Sequence, residues 1–409
     1  MRARRRVLFF AEAGTLAHGG RPIALARALD PAQYEVLFAC DPRQQRFIQH
    51  EPWRHLPLHS ITGAQFLGAL SSGRPVYDVA TLRRYAHEDS ALIADTRPDL
   101  IVGDFRLSLS VSARLAGIPY AAITNAYWSP HLAHTAFPLP VLPITRHLPL
   151  PLASLLFRAA QAVAFRQHCR PLNQLRQEHG LGRLGDDLRH VYTDADHALY
   201  ADLPSMFPTT ALPENHHFIG PILWSPPVPP PQWWSTLPAD RPIVYLTLGS
   251  SGAGELLPTV LGALADRPLR IIVSTAGAPV PALLPANAHV ADYLPGIEAA
   301  ERASLVICNG GSPTSQQALA AGVPVLGIAS NMDQFLNMAA LVRCGAGAVL
   351  RADRLNRAAV LAAADDLLAG AKARKAARAL AAQFSQHQAP RRFADIAAQI
   401  LHPSKATPP

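Results

Sequence analysis

The chain has 409 residues, 49% hydrophobic and 16% charged, with 37 Lys and Arg against 29 Asp and Glu, a formal charge of +8. That length exceeds one ordinary domain, and that composition fills large cores, which excludes a disordered chain. The basic excess suits anionic partners such as nucleotides or a lipid surface, but much of it lies in MRARRR at the start and ARKAARAL near the end, so nucleic acid has only net charge behind it and is not expected. Cys40, Cys169, Cys308 and Cys344 stand at no metal-ligand or redox spacing, which fits reduced thiols and a cytoplasmic protein.

The first residues, basic RARRR, apolar VLFF and then AEAGTLA, imitate a secretory signal, but Glu12 cuts the apolar run short, and a first buried strand is expected instead. The strand RVLFFAEAG precedes helical RPIALARAL, and YEVLFAC follows; DLIVGDF then precedes SLSVSARLAG and IPYAAITN. Strands alternating with helices imply βαβ units and parallel sheets. His18 is placed in the loop after the first strand, and histidine is the side chain suited to accept an alcohol proton near neutral pH. Asp104 ends an apolar strand, at the edge where ligands gather in doubly wound sheets; it is equally a natural helix N-cap for the segment that follows.

From Tyr127 to Arg189 the chain is apolar, proline-broken and sprinkled with Arg and His. It reads as helices inserted into the first domain: a lid, an acceptor pocket, a peripheral membrane-facing surface, or a cover over the sheet. Its run LPLASLLFRAAQAVAF carries Arg158 and falls short of the ~20 uncharged apolar residues of a membrane span. GPILWSPPVPPPQWWSTLPADRP then interrupts all regular structure and reads as a semi-rigid linker.

A second series restarts with PIVYLTLGS, LLPTVLGALAD and LRIIVST, and continues through SLVICNGG, SQQALAAG and VPVLGIA. In ICNGGSPTSQQALAAGVP an apolar strand ends in two glycines and turns through hydroxyl residues into a helix. The free N–H groups of such a helix start, together with its dipole, suit a phosphate; Ser312, Thr314 and Ser315 add hydroxyls. The lysine of a P-loop is absent, as is a GxGxxG turn at the first strand. The final RRFADIAAQIL has helical apolar spacing at Phe393, Ile396, Ile400 and Leu401.

The order Tyr293-x-Pro295, Gly310-Gly311, Thr314, Gln317-Ala318-Leu319, Gly322-Val323-Pro324, Asp333-Gln334 and Asn337 resembles the donor-binding signature of family-1 glycosyltransferases, nucleotide-sugar-dependent enzymes of the two-domain GT-B fold. The likeness is dense over residues 290–350, and IVYLTLGS is similar to the family's first C-domain strand and loop. The resemblance implies an α/β protein with two doubly wound Rossmann-like domains facing each other across a cleft. Residues 1–224 would form an acceptor-binding domain with a helical insert at about 127–190, and 225–240 the linker. Residues 241–385 would bind the donor, and 386–409 would hold a helix returning to the first domain.

By position, Gly249, Ser250 and Ser251 would belong to the donor loop, Tyr293 would stack on the nucleobase, and Asn309, Gly310, Gly311, Ser312 and Thr314 would wrap the diphosphate. Gln317 stands where a Glu normally accepts from ribose hydroxyls, and Asp333 with Gln334 would hold the sugar. His18 would be the general base, one residue further from its proline than usual, with Asp104 orienting it. Asn309 replaces the usual His and Gln317 the usual Glu, so thymidine nucleotides are admitted beside uridine ones. The implied reaction is inverting transfer, without a metal or other cofactor, from a UDP- or dTDP-sugar to a hydroxyl of a lipophilic or aromatic small molecule. Trp128, Phe137 and PLPVLPITRHLPLPL would supply acceptor contacts from the first domain. A nucleotide-sugar 2-epimerase, or an inactive nucleotide-sugar-binding auxiliary protein, are the alternatives.

Overall fold

A computed structural model describes residues 4–133, 136–238, 240–249 and 254–402. The chain divides into two compact units: Met1–His134, Arg158–Ile222 and His387–Pro409 form the first, and Thr135–Phe157 with Leu223–Gln386 form the second. No described helix is long and apolar enough to cross a membrane.

The first unit is built on seven parallel strands, β1 (Arg5–Ala11), β2 (Tyr34–Cys40), β3 (Arg54–Pro57), β4 (Leu100–Asp104), β5 (Tyr120–Thr124), β6 (His197–Tyr200) and β7 (His216–Phe218), in the order β3-β2-β1-β4-β5-β6-β7. Val7 to Ala11 are all buried, as a strand covered on both faces requires. Leu8 and Phe10 join Leu37, Ile101 and Leu109 on one face. On the other, Phe9 stacks on Phe38 with ring centroids 6.0 Å apart and meets Phe393 edge-on at 5.9 Å. Phe393 belongs to the helix Ala389–Leu401, whose Arg392 also donates to the Phe218 carbonyl at 3.0 Å. Burying one phenylalanine contributes roughly 2–3 kcal/mol, so this terminal helix is part of the first unit's core rather than a tail.

Glu12, which breaks the apolar run, is fully buried. Its carboxylate lies 3.4 Å from Arg106, which also grips Asp89, Glu88 and the His59 carbonyl and lies over the Tyr85 ring at 3.5 Å. Burial outweighs the Arg106 charge and pushes the Glu12 carboxyl up to about 7.

The second unit has six parallel strands: β8 (Ile243–Thr247), β9 (Arg270–Ser274), β10 (Ala288–Ala291), β11 (Leu305–Cys308), β12 (Val325–Ala329) and β13 (Gly347–Arg351), in the order β10-β9-β8-β11-β12-β13. Leu246, Val273, Ile307 and Leu326 pack against Leu257, Val260 and Val360 of the covering helices. Each sheet reverses its order once, between β1 and β4 in the first and between β8 and β11 in the second. Doubly wound sheets open a crevice at the carboxyl ends of the strands at such a point.

The insert departs from expectation. The sequence places residues 127–190 whole in the first domain, but Thr135–Phe157 groups with the second. The reason is a set of bonds invisible to periodicity. The Val141 N–H donates to the Ser330 carbonyl at 2.7 Å, and Arg351 donates to the Leu139 carbonyl at 2.7 Å. The Thr145 hydroxyl reaches Asp353 at 2.6 Å. Phe137 and the PLPVLPITRHLPLPL segment therefore belong to the second unit, not to the first as expected.

Candidate active site

At the first switch point, Ala11 of β1 pairs with Asp104 of β4, so the residues after β1 and at the end of β4 share one edge. His18 is not in a loop: the helix Leu16–Ala26 already starts at Leu16, and His18 lies in its first turn. The helix tolerates two glycines and Pro22 because it is pinned by packing. A β-carbon on Gly19 would collide with the Gln44 amide. Pro22, four residues after His18, removes the N–H that would otherwise bind the His18 carbonyl.

The imidazole is half-buried. Its Nδ1 lies 3.3 Å from the Thr15 hydroxyl, and its ring stacks on Phe105 at 4.9 Å with 6° between planes, with Phe66 edge-on at 5.9 Å. Phe105 reaches that position with φ +58°, a left-handed backbone that a bulky residue adopts only under constraint from its surroundings. Burial, and secondarily the Arg21 charge, push the His18 imidazole down to about 3. It is therefore neutral at physiological pH, with a lone pair available.

Asp104 does not orient His18. Its two oxygens accept from Arg21 Nε and Nη2, each at 2.7 Å, and Arg21 Nη1 donates to Asn125 Oδ1 at 2.7 Å. Asn125 in turn donates to Asp202 at 3.1 Å. Arg21 and Asp104 are 7% and 0% exposed, so this is a buried bidentate pair. The physical reason for the correction is reach: Arg21 sits one turn after His18 and offers the carboxylate a fork of charged donors, which a neutral ring cannot match. Asp104→Asn is thus expected to act first on stability. Removing one partner of a buried pair costs about 3–5 kcal/mol, of which the amide recovers a part. The denaturation midpoint should fall; a wild-type midpoint with lost turnover would return Asp104 to orienting the base.

At the second switch point, Thr247 of β8 pairs with Cys308 of β11. Gly249 follows β8 with φ +65°, and a β-carbon there would lie 3.2 Å from Asn309 Nδ2. Ser250 and Ser251, assigned to the same loop, lie outside the described residues. After β11, Asn309 accepts the Gly311 N–H at 3.1 Å, Gly310 takes φ +79°, and the helix Ser312–Ala320 begins with Gly311 as its N-cap. Asn337, 1% exposed, donates to the Gly310 carbonyl at 2.8 Å and to Ser315 Oγ at 2.9 Å. Ser315 itself donates to the Gly311 carbonyl at 2.9 Å. The loop is therefore braced from behind, and its first-turn residue Thr314 keeps an N–H and a hydroxyl without a partner among the described residues.

Two assigned roles change, those of Ser315 and Gln334. Ser315 is fully buried and braces the loop instead of offering its hydroxyl to a phosphate. The Gln317 amide donates to the Trp224 carbonyl at 2.6 Å, and its Oε1 would crowd a β-carbon on Gly296. Gln334, 1% exposed, caps its own helix: its Oε1 accepts from the Ser330 N–H at 2.8 Å and Oγ at 3.0 Å, while Asn331 Oδ1 accepts its N–H at 3.0 Å. Asp333 is half-buried in the same first turn.

Tyr293, half-buried, brings its hydroxyl to 3.3 Å from where a Gly277 β-carbon would stand. Ala276 and Gly277 both have positive φ, and the neighbouring Thr275 hydroxyl is buried with no partner among the described residues. Arg21, Phe105 and Thr275 were missed by sequence reasoning. Only the position of Phe105 and Thr275 just past strand ends could have marked them.

Residues 258–400 match the family described as erythromycin biosynthesis protein CIII-like, C-terminal domain. The chain is 55% identical over 381 residues to a PGL/p-HBAD biosynthesis glycosyltransferase of Mycobacterium tuberculosis, covering 93% of this chain and 89% of that protein. It is 52% identical over 383 residues to a PGL/p-HBAD biosynthesis rhamnosyltransferase of Mycobacterium bovis, covering 94% and 85%. Among solved structures, the kitacinnamycin glycosyltransferase is similar with a TM-score of 0.70 at 20% identity, over 98% of this chain and 100% of that one, a likeness of fold.

Proposed function

Because the chain belongs to the family-1 glycosyltransferases of the GT-B fold, we propose that it transfers a hexosyl group from a UDP- or dTDP-sugar to a hydroxyl of a lipophilic or aromatic acceptor, with inversion at the anomeric carbon. The observation that carries the donor half is the braced Gly310–Thr314 loop, which opens a helix at a switch point. Its Thr314 donors and the positive helix end suit a diphosphate and would take up charge on the leaving group, so the reading invokes no resident metal. The acceptor hydroxyl would lose its proton to His18, which is neutral and so able to take it. The rhamnosyltransferase named among the relatives makes a 6-deoxyhexose the first sugar to test.

Gln317 bears on the base and ribose. Its amide nitrogen is committed to the Trp224 carbonyl, which leaves one uncharged acceptor, Oε1, where the family's carboxylate offers two charged oxygens, so a ribose 2′-hydroxyl is rewarded less. Thymidine and uridine diphosphates should therefore bind within an order of magnitude of each other, measured by calorimetry or thermal shift. A uridine preference beyond about a hundredfold, near 2.7 kcal/mol, would defeat that reading of Gln317. The decisive assay incubates dTDP- and UDP-sugars with a phenol or a long-chain alcohol and follows products by mass spectrometry. A new glycoside supports transfer. Conversion of the donor without acceptor would mean epimerisation, and tight nucleotide binding with no product would mean an auxiliary protein.

A further inference from the structure

We propose that the exposed face of the helix Leu150–Glu178 docks on an anionic lipid bilayer, with its apolar stripe entering the headgroup region. At 100° per residue, Leu152, Leu155, Leu156, Ala159 and Val163 fall within one arc, which runs on into Arg166 and Arg170. The four large residues of that stripe are 44%, 57%, 42% and 56% exposed. Solvated leucines and valine on successive turns form the kind of contiguous apolar surface that proteins keep for a partner.

Charge selects the partner. From Phe105 through Gln177 the sequence contains no Asp or Glu. Arg146, Arg158 and Arg170 are exposed and have no ion-pair partner among the described residues, whereas Arg166 pairs with Asp186 at 2.9 Å. Ile144, 37% exposed, precedes Arg146 and the exposed His147 and adds to the same composition just before the helix. A second copy of the chain laid on this face would set arginines against arginines, which opposes association. Anionic headgroups meet the same arginines with opposite charge, while the stripe takes acyl-chain contact without crossing the bilayer. The surface does not depend on the transfer reaction, and its test does not measure activity.

The purified full chain should sediment with vesicles of phosphatidylcholine mixed with phosphatidylglycerol, less with phosphatidylcholine alone, and less still as salt rises. Leu155→Gln/Val163→Gln, at exposed helix positions, should weaken vesicle binding at least about tenfold. Arg158→Gln/Arg170→Gln should weaken it about 25-fold, since each basic residue near such a surface is worth about fivefold. Circular dichroism and melting temperature check the fold; should the apolar variant misfold, the arginine variant carries the test alone. Failure of the wild type to bind, equal binding to neutral vesicles, or wild-type binding by folded variants would overturn the proposal. So would a dimer, seen by light scattering, that the apolar substitutions dissociate while vesicle binding stays unchanged.

Discussion

His18→Ala should lower kcat by about 10²–10⁴, the range of a lost general base, while the affinity for nucleoside diphosphate stays at the wild-type value. The two effects separate because His18 belongs to the first unit and the Gly310–Thr314 loop to the second. Stopped assays with saturating donor give the first number, and calorimetry with the diphosphate gives the second. Unchanged turnover would take His18 out of the reaction.

The pH profile of the wild type adds a sign. A base must be unprotonated, so activity falls as pH drops through its pKa. In the free protein burial and Arg21 push that pKa down to about 3, so His18 places no acid limb near pH 6 in kcat/KM. An acid limb near pH 6 in kcat/KM that His18→Ala abolishes would show that the imidazole titrates near its ordinary value. The same depressed pKa has a stability consequence. Between about 6.5 and 3 the unfolded chain binds a proton at His18 that the folded chain refuses, so this group's contribution is lost as pH falls through that window.

Local chemistry was legible and partner choice was not. The apolar run of β1, the restart at β8 and the glycine pair before Ser312 each announce themselves within a few residues, because strand burial and helix starts are local patterns. The strand edges that carry His18, Asp104 and Asn309 followed from the same patterns. The mispaired Asp104 shows the limit. A carboxylate at a strand end reads alike whether it faces His18 or Arg21, and only the helical phase of Leu16–Ala26 decides. That phase was obscured by the two glycines and Pro22, which read as loop residues but sit inside a helix held by tertiary packing. Gln334 and Ser315 misled for a related reason: polar side chains near a helix start serve the backbone as readily as a ligand. The strap around Val141 and Thr145 could not be read at all, since its bonds to Ser330 and Asp353 span about two hundred residues.

Gly310→Ala should cost more donor affinity than any other single methyl added to this loop. Gly310 has φ +79°, where an L side chain costs about 1–2 kcal/mol. Its new β-carbon would also lie 2.7 Å from Met338 Cγ. The loop cannot yield freely, because the Gly310 N–H is held by Cys308 Sγ at 3.3 Å and its carbonyl by Asn337 at 2.8 Å. Relief must come from tilting the turn, and that moves the Thr314 donors that follow it. Losing one hydrogen bond to a charged phosphate is worth about 1.5–3 kcal/mol, so diphosphate affinity should fall roughly 10- to 150-fold. Met338→Ala in the Gly310→Ala background separates the two causes. If the steric contact tilts the loop, the double variant regains part of the affinity although its own core is weakened; if backbone strain alone does so, the second substitution recovers nothing. Calorimetry of Gly310→Ala that returned the wild-type dissociation constant would show that the diphosphate is held elsewhere, and with it the donor half of the proposed reaction would have to be rebuilt.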